Sequence, residues 1–158
     1  MPISLEHVSF TYMKGTPFEK TALHDVNLQI EKGEFVAVIG HTGSGKSTLV
    51  QHLSGLLHSQ KGSVCVDGVN LNAKNTAAKK ARNSVGMVFQ YPEHQIFAET
   101  VYEDIAFGPR NKGLTPEETD RAVKDAMAFA GLDFETFAQR SPFRLSGGQM
   151  RRVAIAGV

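Results

Sequence analysis

An unbroken apolar run, Phe35-Val36-Ala37-Val38-Ile39, leads directly into GHTGSGKST, Gly40 to Thr48. A run of that kind suits a strand buried on both faces, as in a parallel sheet. The glycines that follow let the backbone turn so tightly that successive N–H groups face one anion. Residues from Lys46 to about Leu57 read as a helix ending near Gly55, and its positive dipole end adds to the anion site. Strand, glycine loop and helix in this order match G-x-x-x-x-G-K-[ST], with Gly40, Gly45, Lys46 and Ser47 at the fixed positions. In such a loop the lysine reaches the β- and γ-phosphates of a nucleotide and the Ser47 hydroxyl is placed for Mg²⁺. The motif alone does not separate a kinase from a GTPase or a transport ATPase.

The rest of the chain frames this element. Residues 3–10 and 21–30 read as strands, the second with period-two alternation, and Gly15 and Pro17 mark a loop between them. Residues 63–71 form a strand broken by the turn signal Asp67-Gly68. Val85–Phe89 reads as a further short apolar strand. From Gln90 the texture becomes helical. Thr115-Pro116-Glu117-Glu118 is a capping box with proline at the first helical position, and Gly131 ends that helix. Ala122, Ala126, Phe129 and Ala130 recur on one face of it. An apolar segment from Val153 runs to Val158. The organisation expected is a core with a β subdomain over 1–89, a helical subdomain over 90–149, and the start of a return to the core over 150–158.

Composition narrows the function classes. The net charge of +1 gives no basic field for nucleic acid. The single cysteine, Cys65, excludes an internal disulfide and fits a reducing compartment. No apolar run reaches the ~18–20 residues a membrane span needs. Six scattered histidines make no metal-ligand spacing with Cys65. His41 falls at a variable position of the loop and reads as a bystander.

A second glycine motif, LSGGQ, spans Leu145 to Gln149 and precedes MRRVAIA. Ser146, Gly147 and Gly148 offer a hydroxyl and backbone N–H groups at a helix start, again an anion site. The pair of motifs resembles the ATP-binding cassette family of transport ATPases over the whole chain. That resemblance implies an α/β fold with a P-loop NTPase (RecA-like) core, an antiparallel β subdomain and a helical subdomain, C-terminally incomplete. It implies that Gly40, Thr42, Gly43, Ser44, Gly45, Lys46, Ser47 and Thr48 hold ATP. Ser146, Gly148 and Gln149 would grip the γ-phosphate of ATP bound to a second ATPase subunit. Tyr12 matches the aromatic that stacks on adenine, with Phe10 and Phe18 as rivals. Gln90 matches the glutamine that approaches Mg²⁺ and the attacking water. Lys46 and Gln90 are therefore the catalytic candidates, and Ser47 and Gln90 the metal candidates.

The stretch FQYPEHQIFAETVYEDIAFGPRNKGL, Phe89 to Leu114, is similar to the energy-coupling-factor and cobalt-type importer ATPases. HTGSGKSTLVQHLSGLL is similar to the second of the two ATPase subunits in such vitamin importers. The resemblance implies a peripheral protein on the cytoplasmic face of the membrane, ATP and Mg²⁺ as cofactors, and a similar partner ATPase. A transmembrane coupling protein would dock near Tyr91, Pro92, His94, Gln95, Ile96 and Phe97, with Ile96 and Phe97 as apolar anchors. A substrate-binding membrane subunit would be engaged indirectly, and nucleic acid not at all. The family's acidic strand end and switch histidine lie beyond LSGGQ and outside these residues, which suggests a fragment. Two other readings compete: a non-hydrolysing ATP-binding module, and a DNA-maintenance ATPase of the same superfamily. The interval of about 55 residues between Gln90 and Leu145 leaves no room for the coiled-coil insertion of the latter.

Overall fold

The computed structural model describes residues 2–158. They fall into two compact units that divide between Gly86 and Met87. In the first unit, β1 (Ile3–Tyr12), β2 (Lys20–Ile30), β3 (Lys61–Val66) and β4 (Val69–Asn70) form one antiparallel sheet in the order β2-β1-β3-β4. The Asp67-Gly68 turn joins β3 to β4 with φ of 49° and 74°. Two positive values in succession match the twist of the flanking strands, as a two-residue hairpin requires. The β1–β2 ladder shifts register around His7 and Asp25, both at positive φ, so the alternation seen in the sequence is locally displaced.

One face of the sheet buries Leu5, Val8, Leu23, Val64 and Val66 together with Leu71. Leu49 and Leu53 of α1 (Lys46–Leu53) and Ala81 of α2 (Thr76–Asn83) pack on that cluster. The sheet thus fixes the helix that follows the glycine loop, because the same apolar surface is shared.

Two expected strands are absent. Residues 34–40 and 85–89 have no ladder partner, and Phe35 and Ile39 are 96% and 92% exposed. A strand buried on both faces exists only through neighbours on either side and layers above and below. Among the described residues the only sheet is the antiparallel one, so both runs stay out of any ladder, although Val85 still packs against the apolar cluster of the sheet.

The second unit is helical: α3 (Val101–Asn111), α4 (Pro116–Phe129), α5 (Phe134–Phe137) and α6 (Gly147–Ala156), with 3-10 turns at Pro92–Gln95 and Pro142–Arg144. Its core gathers Val101, Ile105, Val123, Met127, Leu132 and Val153. The capping box expected at α4 forms, with the Glu118 N–H donating to Thr115 Oγ1 and the Thr115 N–H to Glu118 Oε2. Gly131 closes α4 at φ 68°. The Leu132 N–H reaches Met127 O and the Gly131 N–H reaches Ala128 O, the paired bonds of a Schellman motif. The buried face of α4 is Thr119, Val123 and Met127. The alanine-rich face expected from the sequence only flanks it, and Phe129 points outward at 87% exposure. Both stripes have helical spacing; the neighbours α3 and α6 select the one with larger side chains at its centre.

Candidate nucleotide site

The α1 helix starts at the glycine loop, and its first turn differs from that of every other α-helix described. The starts of α2, α3, α4, α5 and α6 each take a side-chain cap, from Asn75, Thr100, Thr115, Asp133 and Ser146. The N-cap of α1 is Gly45, which has no side chain to offer. The leading N–H groups of a helix need an acceptor from outside it. At α1 no side chain supplies one.

Glycine geometry builds the loop. Gly43 and Gly45 adopt φ of 83° and 92°. A Cβ on Gly45 would lie 2.4 Å from Ala22 O of β2, so the loop and strand approach closer than any side chain allows. The Ser44 N–H donates to His41 O across the turn. Lys46 folds its ammonium over the same loop, with Nζ donating to Gly40 O at 2.7 Å and His41 O at 2.8 Å. The His41 side chain turns away, its Nδ1 2.9 Å from Thr42 O.

A cavity of about 240 Å³ opens beside this loop, lined by Tyr12, Lys20, Ala22, Gly43, Gly45, Lys46, Ser47 and Thr48. Of the three aromatic candidates, Tyr12 alone lines it. Phe10 lies behind Tyr12, ring edge against ring, and Phe18 stands 73% exposed on the β1–β2 loop. Ser47 is exposed on the cavity wall. Thr48 is buried and shares a 3.2 Å hydrogen bond between its Oγ1 and the Tyr12 hydroxyl. Gly40, Thr42 and Ser44 shape the loop without lining the cavity. Lys20 and Ala22 line the cavity although no sequence motif marks them; β1–β2 pairing brings them there.

The second glycine motif lies at the start of α6. Ser146 and Gln149 form a reciprocal capping box: Ser146 N–H to Gln149 Oε1 at 3.0 Å, Gln149 N–H to Ser146 Oγ at 3.4 Å. Ser146 Oγ acts as acceptor there, so its own proton remains available for an incoming oxygen. Gly147 and Gly148 have open space where a Cβ would sit.

Gln90 is exposed just ahead of the Pro92–Gln95 turn. That turn packs on α6, and Arg151 Nε lies 3.5 Å from Glu93 Oε2. The Glu93 carboxyl is held below its ordinary value by a backbone hydrogen bond first and by Arg151 after it. The two apolar residues expected as anchors separate. Ile96 is a core residue at 7% exposure, while Phe97 is 61% exposed and stacks edge-on with Phe107 at 5.0 Å. Ile96 therefore cannot serve as an outward anchor; the packing of the helical core claims it. The Asp104 carboxylate holds this bend, Oδ1 accepting from the Phe97 N–H at 3.0 Å and the Ala98 N–H at 3.1 Å. Among the described residues no cluster of three or more His, Cys, Asp or Glu side chains could hold a metal.

A loop with uncapped helical N–H groups, a lysine and a serine on one cavity is the geometry of a phosphate cradle. The ABC transporter family model matches residues 23–158. The chain belongs to the ABC transporter family. Among related sequences, the energy-coupling factor transporter ATP-binding protein EcfA2 of Clostridium acetobutylicum is 57% identical over 158 residues, covering 100% of this chain and 55% of that protein. EcfA2 of Clostridium perfringens is 56% identical over the same coverage. The chain thus spans about half the length of the relatives it matches. Among solved structures, cbiO1 from Clostridium perfringens, described as part of the ABC transporter complex cbiONQ, superposes with a TM-score of 0.82 at 35% identity, over 98% of this chain and 59% of that one. The ATP-binding cassette MJ0796, a dimer in a post-hydrolysis state bound to ADP and Pi, gives 0.84 at 34% identity, over 98% and 68%. The α/β cassette fold expected for this ABC chain is thereby established, and no described helix is long and apolar enough to cross a membrane.

Proposed function

We propose that this chain is the ATP-binding part of an ATPase subunit that energises an energy-coupling-factor importer. The observation that carries the reading is the cavity where Tyr12, Lys46, Ser47 and the uncapped start of α1 converge. The identity to the EcfA2 proteins narrows the family to this importer type.

The side chains divide the work by chemistry. The Gly43–Ser47 backbone and the α1 dipole cradle the phosphates. Lys46 moves its ammonium from the Gly40 and His41 carbonyls to the phosphate oxygens, a short swing of a flexible stem. Thr42, Ser44 and Gly40 hold the loop in shape. Tyr12 offers a ring face to the adenine, backed by Phe10. The Ser47 hydroxyl would hold Mg²⁺, which when bound would offset charge on the phosphate oxygens. Ser146, Gly148 and Gln149 complete the site of a second, similar ATPase subunit, so that binding favours a closed pair and hydrolysis its release. Gln90 precedes the segment Tyr91–Phe97, where Tyr91 and Phe97 present exposed rings to a membrane coupling protein. In that arrangement the subunit works at the cytoplasmic face of the membrane, and a separate membrane subunit selects the vitamin or metal ion.

Titration calorimetry of Mg·ATP into the protein and its Lys46→Ala variant tests the base of this reading. A charge-assisted hydrogen bond contributes ~1.5–3 kcal/mol, so Lys46→Ala should weaken binding by about tenfold to over a hundredfold. Unchanged affinity would refute the phosphate-loop assignment. Reconstitution with a second ATPase and the membrane subunits should give ATP-dependent solute uptake. ATP binding without hydrolysis would favour a binding module, and DNA-stimulated hydrolysis a maintenance ATPase.

A further inference from the structure

Behind Tyr12 the fold buries a histidine that the phosphate cradle does not use. His52 of α1 is fully buried. Its Nδ1 lies 2.7 Å from Thr48 O, and a carbonyl only accepts, so Nδ1 carries the proton and donates. Nε2 is left as a bare acceptor, buried and without a hydrogen-bond partner among the described residues. A leucine at this position would fill the space and leave no buried acceptor unpaired. The imidazole must therefore be judged by what its other contacts do.

Those contacts close a ring around Tyr12. On one side the imidazole meets Phe10 edge-on, centroids 4.8 Å apart at 72°, and Phe10 meets Tyr12 at 4.9 Å and 84°. On the other side His52 holds the carbonyl of Thr48, whose Oγ1 bonds the Tyr12 hydroxyl at 3.2 Å. Tyr12 itself is 38% exposed at the end of β1, where an aromatic without support would sample several rotamers. Held at its hydroxyl and against the Phe10 ring, Tyr12 is fixed where it lines the cavity.

We infer that His52 is a positioning residue that sets the orientation of Tyr12 for the flat base of the nucleotide. The inference rests on the ATP reading above. Its signature is selectivity: loss of His52 weakens recognition of the base and spares the phosphates.

The test compares Mg·ATP with Mg·tripolyphosphate, which has the charges and no base, on the full-length protein. Base–aromatic stacking is worth ~1–3 kcal/mol, so Tyr12→Ala should weaken ATP by about 5- to 150-fold and leave tripolyphosphate unchanged. His52→Ala should weaken ATP by about three- to tenfold, again sparing tripolyphosphate. In a Tyr12→Ala background, His52→Ala should change ATP affinity no further, because both act through one ring. Equal losses for the two ligands would mark a merely structural histidine and overturn the proposal. So would a full His52→Ala effect in the absence of Tyr12. Should His52→Ala fail to fold, His52→Phe keeps the ring edge and removes the donor; ATP affinity equal to wild type would then overturn it. If the wild-type protein binds ATP no better than tripolyphosphate, the adenine reading itself fails, and the wild-type data alone reveal it.

Discussion

Two glycines of the glycine loop share a positive φ and differ in what surrounds them, so a matched pair of alanine substitutions separates strain from collision. Gly43 and Gly45 lie at φ of 83° and 92°. An L-residue in the left-handed region costs roughly 1–2 kcal/mol, and both variants carry that cost. Around Gly43 nothing lies within 4 Å of an added Cβ. At Gly45 the added Cβ would meet Ala22 O at 2.4 Å and the Leu23 side chain at 3.3 Å. Ordinary van der Waals contact begins near 3.4 Å, so the loop or the start of β2 must move by about 1 Å. Overpacking of this kind adds roughly 1–3 kcal/mol.

Gly43→Ala should therefore cost about 1–2 kcal/mol and Gly45→Ala about 2–5 kcal/mol. Urea denaturation followed by circular dichroism measures both, since the chain has no tryptophan for fluorescence. The substitutions should also part in function. Movement at Ala22 deforms the cavity wall, so Gly45→Ala should lose ATP binding more than Gly43→Ala. Equal destabilisation of the two variants, or a milder Gly45→Ala, would refute the claim that loop and strand are packed backbone to backbone here.

Two further outcomes are expected. Asp104→Ala strips the acceptor from the Phe97 and Ala98 N–H groups and should destabilise the protein by about 2–4 kcal/mol, whereas Asp104→Asn retains an oxygen there and should lose under about 1 kcal/mol; the difference in denaturation midpoint checks the cap. The Asp133 carboxyl at the start of α5 is held below its ordinary 3.8 by the Thr136 hydroxyl and then by the Thr136 N–H. The unfolded chain takes up that proton first, so the contribution is present above the ordinary value and disappears as pH falls through the lower folded one. Melting temperature scanned from about pH 5 to about pH 2 should therefore fall more steeply for wild type than for Asp133→Asn; parallel curves would remove Asp133 as the cause.

What the sequence shows of this chain is what lies within a few residues of itself. Thr115 finds Glu118 three positions on, Gly131 ends its own helix, and Asp67-Gly68 turns its own hairpin. The glycine loop is of the same kind, because the backbone demand and the residues that meet it are contiguous. The apolar runs at 35–39 and 85–89 are different: an extended run becomes a strand only when other segments pair with it. Ile96 and Phe97 show the same limit at single-residue scale. Both are apolar and adjacent, and only the packing of α3, α4 and α6 decides that one is core and the other surface. His52 left no signal, since a histidine among QHL at helical spacing is indistinguishable from a solvated one until Phe10 and Thr48 close around it.

The two glycine motifs look alike as strings and are built on opposite terms. At α6 the Ser146–Gln149 box satisfies the helix start from within, so the motif holds its shape whether or not an anion is present. Its remaining donors are the Ser146 hydroxyl and the glycine N–H groups outside the box. At α1 no side chain closes the first turn, and Lys46 leans on the loop's own carbonyls. Phosphate bound at α1, as proposed, would supply a missing cap and release a lysine at once, which would couple occupancy to local order. At α6 an anion only joins a structure already complete. In the proposed pairing with a second ATPase subunit, that subunit's α6 start would be met preformed, which predicts that nucleotide binds at α1 before the two subunits close.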